Sequence, residues 1–390
     1  PSDRWNVMVT PRALRQAGRL KVFLVAGEAS GDAYGALLIR ELQQVCKAEG
    51  LKLDLVGWGG DGMHAEGMRL LTHCASINFM GFLEVAQNLP TILQNLRRAE
   101  ADVVREDPDL VVTIDFPGFN MRLAKALRQR RHSALRVQWV APQVWAWKAG
   151  RVAQLREDFD SVAPILPFEA ASLEAAGVSV WNVGHPLLDL VPQAQEDARP
   201  IGLALLPGSR MQELKHHLPI LIDAALEGAM QGLWSMNEVV VAGAPGRSEA
   251  DYALAREQGI RVAFGETHRI LAQAKRAWVA SGTATLEAAL LNTPHVLVYK
   301  TSWVTYRLAK WLAKVEFIGL PNLLLNRALV PELIQHDLTS ANLLSHTSQS
   351  LKAQPRGFSE LQSQLGGPGA ARRLAHQMLE VFRKESDSRA

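Results

Sequence analysis

Short apolar runs that stop at glycine, proline or a carboxylate alternate along this chain with longer stretches whose apolar positions recur every three or four residues. The first run, Lys21-Val-Phe-Leu-Val-Ala26, ends at Gly27 and predicts a buried strand. A helix over roughly Asp32–Val45 follows, with Ser30 placed to cap it and Ala36, Leu37, Ile39 and Leu42 on its inner face. Further strands are predicted at Leu53–Val56, Leu110–Ile114 and Arg136–Val140, separated by helices at Leu89–Arg105 and Met121–Arg130. Asp158–Leu166 and Val180–Val183 also have strand composition. Strands alternating with helices imply a parallel sheet covered on both faces.

The polar, proline-flanked stretch Val191–Pro200 has the composition of a linker, and after it the alternation restarts. Ile201–Leu206, Glu238–Ala242, Arg261–Phe264, Ala277–Ala280 and His295–Tyr299 are the second set of strands. The reading is two α/β halves, residues 1–190 and 191–365. A charged amphipathic tail, Pro368–Lys384, is placed so that it crosses back onto the first half. Ligands of open α/β sheets bind beyond the carboxyl ends of the strands, so two such sheets would line a cleft with those loops.

Composition narrows the classes. Apolar residues are 48% and charged residues 21% of 390, which excludes wholesale disorder. Two cysteines, Cys46 and Cys74, cannot make a disulfide scaffold, and no Cys/His spacing offers a zinc site. No uncharged stretch approaches the ~20 apolar residues of a membrane span. The polar first twenty residues give no sign of a secretory leader, and a reducing, cytoplasmic setting fits best. With 42 basic against 39 acidic side chains, charge gives no argument for nucleic acid, although a local basic face toward an anionic lipid or phosphate is compatible with it.

Five loops carry candidate chemistry. Gly27-Glu-Ala-Ser-Gly-Asp32 joins a strand to a helix N-terminus, a place that suits a polar or anionic ligand; helix capping by Ser30 and Asp32 is the plain alternative. Thr113-Ile-Asp-Phe-Pro-Gly-Phe-Asn120 sets Asp115 at a carboxyl edge, where it could take a proton from a hydroxyl or simply cap the next helix. Val140–Trp147 brings Trp145 and Trp147, able to stack on a sugar, line an acyl pocket or pack in a core. In Leu205–Glu213, the backbone at Gly208 and Ser209 with the Arg210 guanidinium forms a credible diphosphate clamp, with Glu213 holding the arginine. Ser281-Gly-Thr-Ala-Thr-Leu-Glu287 is the strongest signal. Ser281, Gly282 and Thr283 open a helix toward a phosphate, and Glu287 could accept both ribose hydroxyls. Separately, Phe79–Leu93 is richly apolar and followed by Arg97 and Arg98, a pattern shared by membrane-surface patches and buried helices.

Taken together, these stretches resemble the lipid-A-disaccharide synthase family, glycosyltransferases of the two-lobed GT-B fold. The motifs that carry the resemblance are Val25–Asp32, Met80–Val85, Ile114–Asn120, Ala141–Trp147, Leu205–Arg210, Ser281–Glu287 and Gly319–Leu324, collinear over about residues 20–345. The resemblance implies two Rossmann-like domains facing across a cleft. It implies transfer of a UDP-activated 2,3-diacylglucosamine to the 6-hydroxyl of 2,3-diacylglucosamine 1-phosphate, with inversion, giving a β-1,6 disaccharide and UDP. The family's base falls on Asp115 and its first-loop glutamate on Glu28. Its donor-side residues fall on Arg210, Glu287 and Asn322. Its membrane-contacting helix falls on Leu83, Val85, Leu89, Ile92 and Leu93. No metal or cofactor is implied; peripheral contact with the anionic inner membrane is, and a homodimer is left open. Gly118 and Ala29 depart from the family, whose members often carry an aspartate and a threonine-like residue there. A UDP-sugar 2-epimerase and a non-catalytic lipid- or nucleotide-binding relative are the competing readings of the same two-lobed architecture.

Overall fold

The computed structural model describes residues 18–77, 89–142, 150–192, 199–303, 306–307, 316–349 and 351–387. The chain divides into two compact units, Pro1–Pro186 with Gly369–Ala390, and Leu187–Pro368.

The first unit is built on six parallel strands: β1 Arg19–Ala26, β2 Lys52–Gly59, β3 Arg69–His73, β4 Leu110–Ile114, β5 Leu135–Trp139 and β6 Ser161–Ala163. They lie in the order β3-β2-β1-β4-β5-β6. The second unit repeats the plan with β7 Leu203–Leu206, β8 Val239–Gly243, β9 Arg261–Phe264, β10 Ala277–Ala280, β11 His295–Tyr299 and β12 Glu332–Ile334. Its order is β12-β11-β10-β7-β8-β9. Counted from each unit's first strand the two orders are the same, the doubly wound 3-2-1-4-5-6 arrangement. The central strands β4, β7, β8 and β10 are buried at every position, as a sheet with helices on both faces requires. Their apolar runs made them easy to find.

Several expectations are corrected. The first helix runs Ala29–Ala48, and Ser30 does not cap it: Glu28 is the N-cap residue and no side chain caps the end. Asp32 does not cap it either. Its carboxylate accepts the backbone N–H of Gly60 at 2.7 Å, Gly62 at 2.9 Å and Met63 at 3.1 Å, and so closes the neighbouring Asp61–Ala65 helix from across the sheet edge. The strand expected at Asp158–Leu166 shrinks to β6, because Asp158 ends the Gly150–Asp158 helix. At Val180–Val183 there is a single bridge, Val180 to Val162, and no strand. The second-unit strand begins at Leu203, with Ile201 contributing an isolated bridge to Ala274. Edge strands β3 and β12 were missed: each is short and carries polar residues, so neither makes an apolar run. The helix expected from Met121 starts earlier, at Pro117.

The Ala370–Asp387 helix packs along Ala29–Ala48. Arg373 Nε donates to the Val183 carbonyl at 2.7 Å, and Arg383 pairs with Glu49.

Candidate active site

In a doubly wound sheet the ligand crevice opens where the strand order reverses. That point lies between β1 and β4 in the first unit and between β7 and β10 in the second. The loops leaving those four strands contain Glu28, Asp115, Arg210 and Ser281. The sequence had placed them at carboxyl edges; the sheet order places each pair at a switch point.

The backbone around Asp115 is unusual. Asp115 and Phe116 both adopt the left-handed region, with φ of 49° and 48°, and so does Val140 after β5, with φ of 67°. Such angles cost non-glycine residues of order 1–3 kcal/mol each, and a β-branched valine is among the least tolerant. They persist because buried side chains hold them. The Asp115 N–H donates to the Trp139 carbonyl at 2.9 Å. The Asp115 carbonyl accepts from Asn120 Nδ2 at 2.6 Å and from Gln138 Nε2 at 3.1 Å. The same Gln138 amide donates to the carbonyls of Trp139 at 3.2 Å and Val140 at 2.9 Å, while its Oε1 accepts the Thr113 hydroxyl at 2.6 Å. Gln138 and Asn120 are fully buried. One side chain thus ties both strained turns together, and Asp115 stands half-buried on a rigid elbow. Gly27 belongs to the same construction: a Cβ there would overlap the Phe116 ring, so the β1 loop can pass only as glycine. Glu28, next to it, is half-buried at the N-terminus of Ala29–Ala48. Gly118 is exposed with open space around it, so the aspartate common at that position would fit.

In the second unit, Gly208 takes φ of 112°, and a Cβ there would strike Glu213. Glu213 does more than hold an arginine. Its Oε2 accepts the backbone N–H of Ser209 at 3.0 Å and of Arg210 at 3.2 Å, and its Oε1 meets Arg210 Nη1 at 3.1 Å. A carboxylate therefore already lies against the N–H groups of this loop, at the start of the Met211–Met230 helix. The Arg210 side chain is 49% exposed, within reach of solvent-borne anions. Beside it, Gly282 with φ of 143° precedes the Thr283–Leu290 helix. Ser281 N–H is tied to the Val298 carbonyl at 3.0 Å, which fixes that loop to β11. Glu287 Oε2 lies 3.5 Å from His268 Nε2.

Asn322 has a different place from the one expected. It is buried, and its amide is saturated: Nδ2 donates to Val330 O and Glu332 Oε1, both at 2.8 Å, and Oδ1 accepts Leu329 N–H at 2.9 Å and Val330 N–H at 2.8 Å. Glu332 in turn accepts the N–H of Ile318 at 2.9 Å and of Gly319 at 3.0 Å. Asn322 lies in the Leu320–Leu325 helix and is a strut for the Leu329–Val330 segment that follows it. Among the membrane candidates, Ile92 is half-buried and Leu93 is 42% exposed, with Arg97 and Arg98 exposed on the same Leu89–Glu106 helix. Leu83, Val85, the Leu89 side chain, Trp145 and Trp147 lie outside the described residues. Among the described residues, no helix is long and apolar enough to cross a membrane, and no His/Cys/Asp/Glu cluster could hold a metal ion.

Two doubly wound units of one strand order define a GT-B-like α/β class of fold. Solved structures of that class are similar in fold. A UDP-N-acetylglucosamine 2-epimerase from Neisseria meningitidis, bound to UDP-GlcNAc, matches with a TM-score of 0.60 over 93% of this chain and 99% of its own, at 10% identity. A putative 2-epimerase from Listeria monocytogenes matches with a TM-score of 0.60 over 94% and 97%, at 13% identity. Identities this low speak for the fold alone.

Sequence decides the family. The family described as lipid-A-disaccharide synthetase matches residues 22–365. The lipid-A-disaccharide synthase of Azotobacter vinelandii is 38% identical over 94% of this chain and 99% of its own length. That of Myxococcus xanthus is 36% identical over 93% and 97%. The chain belongs to the lipid-A-disaccharide synthase family of glycosyltransferases.

The sequence reading missed Gln138, Asn120, His217, Glu332 and Gln335, which hold the loops rather than face a ligand. Gln138, Asn120 and His217 are buried polar residues in elements with a buried apolar face, which in sequence look the same as polar residues on a solvated face. Glu332 and Gln335 lie in or beside a strand too short to make an apolar run.

Proposed function

We propose that this chain joins UDP-2,3-diacylglucosamine to 2,3-diacylglucosamine 1-phosphate, forming the β-1,6 disaccharide 1-phosphate and releasing UDP. The family match over residues 22–365 carries the reading, and the strained, buttressed elbow at Asp115 supports it.

The chemistry divides between the units. The acceptor 6-hydroxyl gives its proton to the Asp115 carboxylate as its oxygen bonds to the donor's anomeric carbon. The bond from that carbon to the β-phosphate oxygen breaks, and UDP leaves with the electron pair. One displacement inverts the centre. Charge growing on the diphosphate calls for fixed donors, and the N–H groups of Ser209 and Arg210, the Arg210 guanidinium and the helix start at Gly282 and Thr283 are of that kind. Glu213 must release the loop as the diphosphate arrives, since both are anions for the same N–H groups. Glu287 is assigned to the ribose hydroxyls, and Glu28 to the acceptor side. Asn322 acts through the loop it holds.

Both substrates carry acyl chains, so we place the enzyme on the cytoplasmic face of the inner membrane, held there peripherally. The exposed Leu93 with Arg97 and Arg98 supports that contact.

Incubating the protein with both acylated sugars and weighing the products by mass spectrometry tests the proposal. Disaccharide 1-phosphate with stoichiometric UDP is expected. UDP release without acceptor, or epimerised donor, would reject it.

A further inference from the structure

His217 lies on the inner face of the Met211–Met230 helix among Leu214, Leu218 and Leu221, with no exposed surface. An imidazole in such surroundings is costly unless its nitrogens are bonded. Both are. The backbone N–H of Lys300 donates to Nε2 at 2.8 Å. An accepting Nε2 leaves the ring proton on Nδ1, which donates to the Pro207 carbonyl at 2.7 Å. The ring is therefore neutral and in one tautomer, consistent with burial lowering its pKa.

The two partners are far apart in sequence and differ in origin. Pro207 follows β7 and Lys300 follows β11, with β10 between those strands in the sheet. His217 thus spans the end of β10, where Ser281, Gly282 and Thr283 open toward solvent, and Ser281 is itself tied to β11 through Val298. The next residue of the β11 loop is held independently. Gln335, 5% exposed and at φ of 55°, accepts the Thr301 N–H with Oε1 and donates from Nε2 to the Thr301 carbonyl, each at 3.2 Å. Two buried side chains from separate elements grip consecutive residues of one loop. A connecting loop with no task would leave such groups to water.

We propose that His217 is the positioning residue of the donor half: through the Pro207 carbonyl and the Lys300 amide it holds the loops after β7, β10 and β11 in fixed register, so that their donors converge on one diphosphate. The proposal rests on the UDP-sugar reading above.

The test uses the full chain, with UDP affinity by calorimetry and steady-state kinetics with both acylated sugars. His217→Leu removes both bonds; UDP Kd and donor KM should each rise at least tenfold and kcat should fall, because the same donors stabilise the leaving diphosphate, with acceptor KM within about twofold. Gln at 217 reaches the Nε2 position and can keep Lys300, whereas Asn reaches the Nδ1 position and can keep Pro207. His217→Gln and His217→Asn should each weaken UDP binding less than His217→Leu does. Unchanged UDP affinity in His217→Leu overturns the proposal, as does an acceptor KM that rises as much as the donor KM. If His217→Leu fails to fold, the Gln and Asn variants decide, and wild-type UDP affinity in both rejects it. A wild-type protein that binds no UDP would defeat the donor reading itself and the positioning role with it, a result visible before any variant is made.

Discussion

Asp115 illustrates how much of a site one residue can carry and how little of its setting is local. An apolar strand that ends in a carboxylate is visible in the sequence, so its place at a sheet edge was legible. Its left-handed backbone was not, because aspartate enters that region only occasionally and nothing in the neighbouring sequence requires it here. Replacing it by Asn keeps the shape and removes the proposed base. Asp115→Asn should lower kcat by roughly 10²–10⁴-fold, with UDP affinity by calorimetry within twofold; a kcat near wild type would exclude Asp115 as the base. Gln138 holds that geometry with four hydrogen bonds and no solvent exposure. Gln138→Leu leaves buried carbonyls unpaired and should cost about 1–3 kcal/mol. The urea midpoint should fall at unchanged m, and kcat should drop in the fraction that remains folded, while UDP binding persists.

At the scale of elements, the Leu89–Glu106 helix shows where pattern and environment part. Its inner stripe, Ala99 and Val103, is buried against the first sheet, and its outer side presents Leu93 beside Arg97 and Arg98. An apolar helix next to arginines is compatible with either burial or a lipid surface; this helix is buried along its inner stripe and exposes Leu93, Arg97 and Arg98 elsewhere. Leu93→Glu should leave the melting temperature within about 2 °C, since an exposed site changes stability little. It should weaken sedimentation with vesicles containing anionic lipid; equal binding by the variant would separate this helix from any membrane role. The loops at the carboxyl edges follow the same logic. Their glycines and carboxylates could be read off, but the order of strands decided which four loops share the two switch points.

For the whole molecule, buried histidines set the acid limit. His295, sealed against Phe358, and His185 are both pushed down to about 4 by burial. The unfolded chain titrates such groups near 6.5. Between pH 6.5 and 4 the unfolded state therefore binds more protons, and stability falls as pH falls, by up to about 1.4 kcal/mol per unit for each histidine. Urea midpoints measured at pH 7 and pH 5 should show that loss, and His295→Phe should lessen its slope. A midpoint indifferent to pH over that range would rule out both groups as the cause.

Alternation of apolar runs with amphipathic helices determined, without coordinates, that this chain makes two parallel α/β units, because a strand buried on both faces has no polar period to hide it. Spaced motifs determined the family and brought Asp115, Arg210, Ser281 and Glu287 to notice, since loops that meet a ligand at strand ends keep residues no core would select. Tertiary structure alone decided the identical strand order of the two units, the strained elbow under Asp115, the saturation of Asn322 and the bridge made by His217. Each of these depends on hydrogen bonds to partners outside the residue's own element, and a polar side chain acquires such partners only when the fold has closed around it.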